Sequence, residues 1–149
     1  MTQNDKELLI KDLCARLPYG VKCKVNYIIN NESTYGEDVE KECTDIVKRI
    51  NFDTYSIYTE WLGYESDIED IKPYLRPLSF MTKEECIELG NINATIENIS
   101  EVIPNVPYYI EVACSKQIDW LNEHHFDYRG LIEKGLAIAV AKDNNPYYG

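Results

Sequence analysis

The sequence predicts an α+β domain: an N-terminal helix, a small, mainly antiparallel sheet, and short helices in the C-terminal half. Three observations carry that expectation. Leucines recur at four-residue spacing near the start, apolar and polar residues alternate over 21–29, and helix-capping residues precede apolar runs after residue 80.

Taken in order, Asp5 is placed to cap a first helix whose apolar stripe is Leu9, Leu13 and Leu17, widened by Leu8 and Ile10. Pro18 stops it, and Pro18-Tyr19-Gly20 reads as a turn. Val21, Cys23, Val25, Tyr27 and Ile29 then alternate with Lys22, Lys24, Asn26 and Ile28, the two-residue period of a half-buried strand. A polar loop containing Gly36 follows over 30–38. Residues 39–50 fit two periods. Val39, Cys43, Ile46, Val47 and Ile50 suit a helix, whereas Thr44, Ile46, Lys48 and Ile50 share one side of a strand. The short Asn51-Phe52-Asp53 connection into the β-prone run 55–59 favours a hairpin, so strands are expected. Residues 60–70 read as an acidic loop with at most a helical turn.

The stretch 71–81 holds Pro73 and Pro77, which argues against helix and central strand and leaves an extended surface crossing. Thr82-Lys83-Glu84-Glu85 has the capping-box pattern, so a helix is expected to start there and stop near Gly90-Asn91. Residues 91–107 carry no readable period, and 108–113 look like a strand. Ser115 caps a helix through Ile118, Trp120, Leu121 and His125; Asp127 caps another through Leu131 and Ile132, ended by Gly135. The tail, 143–149, reads as loose.

A length of 149 residues is that of one domain, so 1–149 is taken as a single unit. The hydrophobic content of 44%, with 12 tyrosines, supplies a packed core and argues against a disordered chain. No apolar run nears the ~20 residues of a membrane helix. The first residues lack the basic-then-apolar pattern of a secretion leader, so a cytoplasmic protein with no membrane partner is expected. The five cysteines, Cys14, Cys23, Cys43, Cys86 and Cys114, are odd in number and none are at C-x-x-C spacing. They read as small core residues rather than a disulfide framework or metal site, and no cofactor is expected.

The net charge of -11 is concentrated in residues 32–70, where twelve acids face three bases. Such a segment repels phosphate, which argues against DNA or RNA polymers as partners. It is either a solvated face that aids solubility or a docking surface for a basic partner.

The densest group of binding-capable side chains runs from Trp120 to Gly130 and holds both histidines. Adjacent His124 and His125 point about 100° apart on a helix, a poor arrangement for chelating one ion. No serine or cysteine is marked as a nucleophile beside them. Arg76, with Pro73 and Pro77 on either side, and Arg129, between Tyr128 and Gly130, are rigidly framed guanidiniums beside aromatics. That pairing suits stacking on a base and two-pronged binding of a phosphate or carboxylate. It equally suits an arginine that ties two segments together. The candidate ligand-binding residues are Tyr74, Arg76, Trp120, His124, His125, Tyr128 and Arg129, with no catalytic residue and no metal ligand among them. The P-loop, dinucleotide-binding, nucleophile-elbow, zincin and EF-hand patterns do not occur.

Three blocks stand out: KDLCARLPYGVK at 11–22, KPYLRPLSFMT at 72–82, and DWLNEHHFDYRGLIEKGLA at 119–137. With them the chain resembles a family of small proteins encoded by gut Bacteroidales and their phages and prophages. The resemblance implies a phage-type accessory protein acting in the host cytoplasm, and it brings no activity, cofactor or catalytic residue to carry over. The expected function is a non-enzymatic protein holding a small anionic, nucleotide-like ligand, for instance a host immune signal that it sequesters in counter-defence. The alternative is an acidic inhibitor or adaptor that docks a basic host protein through 32–70. A third reading is a hydrolase using His124 or His125 with Asp127. Assembly into a homo-oligomer stays open.

Overall fold

Thr2, rather than Asp5, caps the first helix. The computed structural model describes residues 1–30, 35–92, 101–102, 111–112 and 115–148. Helix α1 spans Gln3–Arg16. The Thr2 hydroxyl accepts the Asp5 N–H at 3.1 Å, and the Asp5 carboxylate accepts the Thr2 N–H at 3.2 Å. Asp5 is thus the return half of a capping box whose first member lies three residues earlier. A 3-10 turn over Leu17–Tyr19 ends on Gly20, whose φ of 65° lies in the left-handed region that a side chain disfavours.

The sheet follows from the alternation. Strands β1 (Lys22–Ile29), β2 (Val39–Asn51), β3 (Ser56–Thr59), β4 (Glu65–Asp67), β5 (Ile71–Leu75) and β8 (Ile138–Ala139) form one sheet in the order β4-β3-β2-β1-β5-β8. Every pairing is antiparallel except β5 with β8. Residues 39–50 are strand, as the hairpin argument expects, with a register shift between Val47 and Arg49. Two further strands of two residues each, β6 (Glu101–Val102) and β7 (Glu111–Val112), pair with each other. The remainder of the unreadable stretch and of the expected strand at 108–113 lies outside the described residues.

Four expectations need correction. The acidic loop 60–70 contains a strand, β4, and a 3-10 turn over Ile68–Asp70. Its one buried residue between two exposed acids is too short a pattern to read as a strand from sequence. The Pro73 segment is an interior strand of the sheet rather than a surface crossing. The ladder tolerates Pro73 because odd residues of β5 face β8: the Leu75 carbonyl accepts the Val140 N–H at 2.8 Å. Pro73 faces that same side before β8 begins at Ile138, opposite Tyr74, so no ladder bond is lost. No helix follows Asp127. Its carboxylate caps the Leu131 and Ile132 N–H groups at 2.9 and 2.8 Å, but the chain makes turns and leaves at Gly135. The tail is also fastened through residue 147. The Tyr147 hydroxyl accepts the Lys22 N–H at 3.1 Å and donates to the Tyr74 carbonyl at 2.9 Å, filling the gap between β1 and β5.

Helix α2 (Lys83–Asn91) starts at the expected cap, where Thr82 Oγ1 accepts the Glu85 N–H at 3.2 Å. Helix α3 (Ser115–Glu123) stops two residues before His125. Two apolar clusters result. One joins Leu9, Ile10 and Leu13 of α1 to Val21, Cys23, Val25, Val47, Ile57, Ile71 and Leu75 of and beside the sheet. The other packs α2 against α3 through Cys86, Leu89, Trp120 and Leu121, with Phe126 and Tyr128 beyond the end of α3.

Candidate functional site

Except for Tyr74, whose hydroxyl reaches Thr44 of β2, the residues singled out from sequence gather around Phe126, which is fully buried. The local cause is the end of α3. Phe126 N–H donates to the Leu121 carbonyl at 3.0 Å and His125 N–H to the Asn122 carbonyl at 3.1 Å, the hydrogen bonds of a Schellman cap. His125 holds the position usually given to glycine, with φ of 59°. The chain then turns and runs beside Arg76: Arg76 N–H donates to the His125 carbonyl at 2.8 Å, and Asp127 N–H to the Arg76 carbonyl at 2.9 Å. Phe126 thereby continues the sheet past the start of β1.

Both framed arginines end on carboxylates. Arg76 Nη2 meets the two Glu85 oxygens at 2.8 and 2.9 Å, and its guanidinium lies 4.1 Å from the Phe126 ring centre. Arg129 reaches Asp12 at 2.9 Å and lies 4.3 Å over the Tyr128 ring. Trp120 donates its indole N–H to Glu88 at 3.1 Å and stacks on His124 at 3.9 Å. The His124 Nδ1 sits 2.8 Å from the Trp120 carbonyl. Tyr128 donates to Asn122 at 3.0 Å. Tyr74 takes a hydrogen bond from Thr44 at 3.4 Å on its side chain and one from Tyr147 on its carbonyl. His125 is buried and stacked on Tyr147 at 3.9 Å. Burial first, then Arg16, His124 and Arg76, push its imidazole down to about 3, so it is neutral at physiological pH. Asp127 spends both oxygens on backbone N–H groups. Tyr128 and Asp127 line a cavity of about 270 Å³ with Pro77, Leu78 and Glu133, whose lining holds no arginine.

Two residues at the centre of this cluster were not singled out from sequence. Asp12 and Arg16 have no exposed surface, and they pair at 2.8 and 3.0 Å. Arg16 also donates to the Phe126 carbonyl at 2.6 Å, tying α1 to the turn that follows α3. The signal was present: positions 9, 12, 13 and 16 share one helix face, and two of the four are opposite charges four residues apart.

A second region has the opposite character. A cleft of about 470 Å³ opens between the far half of β1 and the segment around β4. Asn26, Tyr27 and Ile28 form one wall. Glu65, Asp67 and Asp70 form the other, with Glu40 and Tyr64 at the margins. No lysine, arginine or histidine lines it. Glu65 accepts from the Ser56 hydroxyl at 3.0 Å and Asp67 from the Glu69 N–H at 2.9 Å, both neutral donors; the nearest cation, Lys6, lies outside the lining, is paired with Glu69 at 3.0 Å and feels the Asp67 charge from there. Burial, then Asp67, Glu69 and Glu40, raise the Asp70 carboxyl above the ordinary aspartate range. Ser66 also lines the cleft, and its Oγ is buried without a partner. Exposed apolar groups stand nearby: Ile28 is 62% exposed, Tyr64 47%, and Trp61 68% with its ring edge against Tyr27 at 6.2 Å. The Trp61 turn is held by Asp45, whose carboxylate accepts the Trp61 and Leu62 N–H groups at 3.0 Å. Burial opposes that charge, yet these N–H groups outweigh it and hold the carboxyl below its usual range.

Among the described residues, no group of three or more His, Cys, Asp or Glu side chains is placed to hold a metal ion, so the cleft carboxylates do not converge on a point. No helix among them is long and apolar enough to cross a membrane. Compared with known proteins, the chain matches no family model, no curated protein and no solved structure.

Proposed function

We propose that this is a non-enzymatic interaction protein that takes a basic protein partner in the acidic cleft. The observation that carries this is the lining: Glu40, Glu65, Asp67 and Asp70 with no base among them. Like charges held together cost free energy in the free protein, and a cationic partner removes that cost. Exposed Trp61 and Tyr64 supply the large apolar contacts that anchor protein interfaces. All of these residues lie in the 32–70 segment, where the excess of acids is concentrated. Together with the phage-type resemblance, this describes an accessory protein that captures a basic protein of the host cytoplasm.

Binding of an anionic, nucleotide-like ligand around Arg76 and Arg129 is the less favoured reading. There the ligand would have to displace Glu85 and Asp12 from arginines they already neutralise.

A lysine-rich peptide titrated into the protein, followed by calorimetry at low and high salt, tests the proposal. Binding should weaken steeply with salt and vanish in a Glu40→Gln, Glu65→Gln, Asp67→Asn variant whose circular dichroism is unchanged. Undiminished binding by that variant would reject the cleft as the site. Thermal stabilisation by a nucleotide, with no response to the peptide, would restore the anion reading.

A further inference from the structure

The cleft offers a partner more than charge. β1 pairs with β2 along its whole length, from Lys22 opposite Ile46 to Ile29 opposite Val39. On its other side β5 covers only Cys23 to Val25. The alternation of hydrogen bonds decides what the rest of that edge presents. Val47 N–H donates to the Val21 carbonyl at 3.1 Å, so odd residues of β1 bond toward β2. Lys22 N–H points the other way, to the Tyr147 hydroxyl. With a two-residue period, Ile28 turns its N–H and C=O away from β2, to the side where β5 has ended. That side is the cleft, which Ile28 lines.

Sheet edges in stable proteins are usually blunted by charge, proline or a bulge. Asn26-Tyr27-Ile28-Ile29 has no charge and no proline, and its β1–β2 register is unbroken. It is rich in residues that favour strands. The acids across the cleft guard it instead, against everything except a cation. They also argue against a second copy of this chain as the occupant, because the net charge is -11.

We infer that the basic partner enters as an extended segment that adds a strand to β1 at Ile28, with alternate lysine or arginine side chains reaching Glu65, Asp67 and Asp70. Main-chain pairing supplies affinity and the acidic wall supplies selection for basic residues, the division of labour of strand-addition recognition.

This rests on the acidic cleft being the binding site, and the test separates the two. Three probes are titrated: an alternating lysine–valine hexapeptide, the same peptide N-methylated at every second residue, in both phases, and spermine. If a strand is added, methylation in one phase weakens binding at least about tenfold, methylation in the other phase does not, and the Ile28 amide gains hydrogen-exchange protection. Ile28→Pro, which removes the edge N–H, should bring the plain peptide down to the affinity of its methylated form. Equal binding of plain and methylated peptides, with spermine also bound, would overturn strand addition and leave a cleft that reads charge alone. Binding of none of the three would overturn both. The methylated peptides leave the protein unaltered, so the outcome stands even if Ile28→Pro fails to fold.

Discussion

Asp12 and Asp70 are both aspartates with charged neighbours, and their surroundings are opposite. Asp12 is fully buried between two guanidiniums, Arg16 at 2.8 Å and Arg129 at 2.9 Å. Asp70 stands at a cleft whose other charged groups are acids, and its carboxyl is raised by burial and by those neighbours. In the first region each charge is consumed by the fold: α1, the end of α3 and the Tyr128–Arg129 segment are cross-tied through one carboxylate. In the second, charge is left over. A region whose charges are paired with opposite charges holds the protein together, even where single atoms such as Arg16 Nη1 and His125 Nδ1 stay without a hydrogen bond, whereas a region that keeps a surplus of like charge has capacity for a partner.

The largest effect should come from Asp12→Ala, which strands a fully buried Arg16 and leaves Arg129 without its acid. A loss of about 3–5 kcal/mol is expected in urea unfolding. A loss under about 1 kcal/mol would mean that the cluster does not hold the fold, and the contrast with the cleft would break.

Next comes pH. His125 is held down to about 3 in the folded chain against an ordinary 6.5. As pH falls through 6.5 the unfolded chain takes up a proton that the folded chain refuses, so stability is lost between about 6.5 and 3. His125→Asn, which tolerates the left-handed backbone, should flatten the profile in that window, by roughly 4 kcal/mol at its acid end. Parallel profiles for the two proteins would show that His125 is not held neutral.

A smaller effect is expected from Tyr147→Phe. It keeps the stack on His125 but leaves Lys22 N–H and the Tyr74 carbonyl without their bridge. About 1 kcal/mol should be lost, read as a shift in the urea midpoint. No shift would mean that the tail is not fastened through this hydroxyl.

The smallest effect should have the opposite sign. Asp70→Asn removes one of the mutually repelling acids and should stabilise the free protein by a few tenths of a kcal/mol at neutral pH. Because the folded carboxyl is raised, the folded chain binds its proton more tightly than the unfolded one. The destabilisation from Asp70 therefore appears as pH rises through the carboxylate range, and the gain in the variant should disappear at low pH. Destabilisation at neutral pH would show that the cleft charges are compensated after all.

The elements most legible in sequence were those with a strong local signal. The two-residue alternation over 21–29 gave β1, the β-prone run after Asn51-Phe52-Asp53 gave the hairpin, and Thr82-Lys83-Glu84-Glu85 gave the start of α2. Segments whose state depends on a distant neighbour were not legible. Pro73 argues against a central strand by its own chemistry, and only the late start of β8 makes it harmless. The tail looks loose because nothing nearby in sequence announces that Tyr147 fits between Lys22 and Tyr74, more than seventy residues away from each. The candidate site divides in the same way. The aromatic and cationic richness around Arg76 and 120–130 was visible, but the acids that neutralise Arg129 and Arg76, Asp12 and Glu85, and the Glu88 that accepts the Trp120 indole N–H, lie elsewhere in the chain.

By itself the sequence determined the fold class, most strand and helix starts, and the excess of acids over 32–70, because periodicity, capping and charge are properties of short windows. Only the tertiary structure decided which charges are spent and which are left. Asp12 and Arg129 meet across 117 residues, and Ile28 faces a cleft only because β5 stops pairing at Val25. Pairing energy depends on distance and burial, and neither is fixed until the chain has folded.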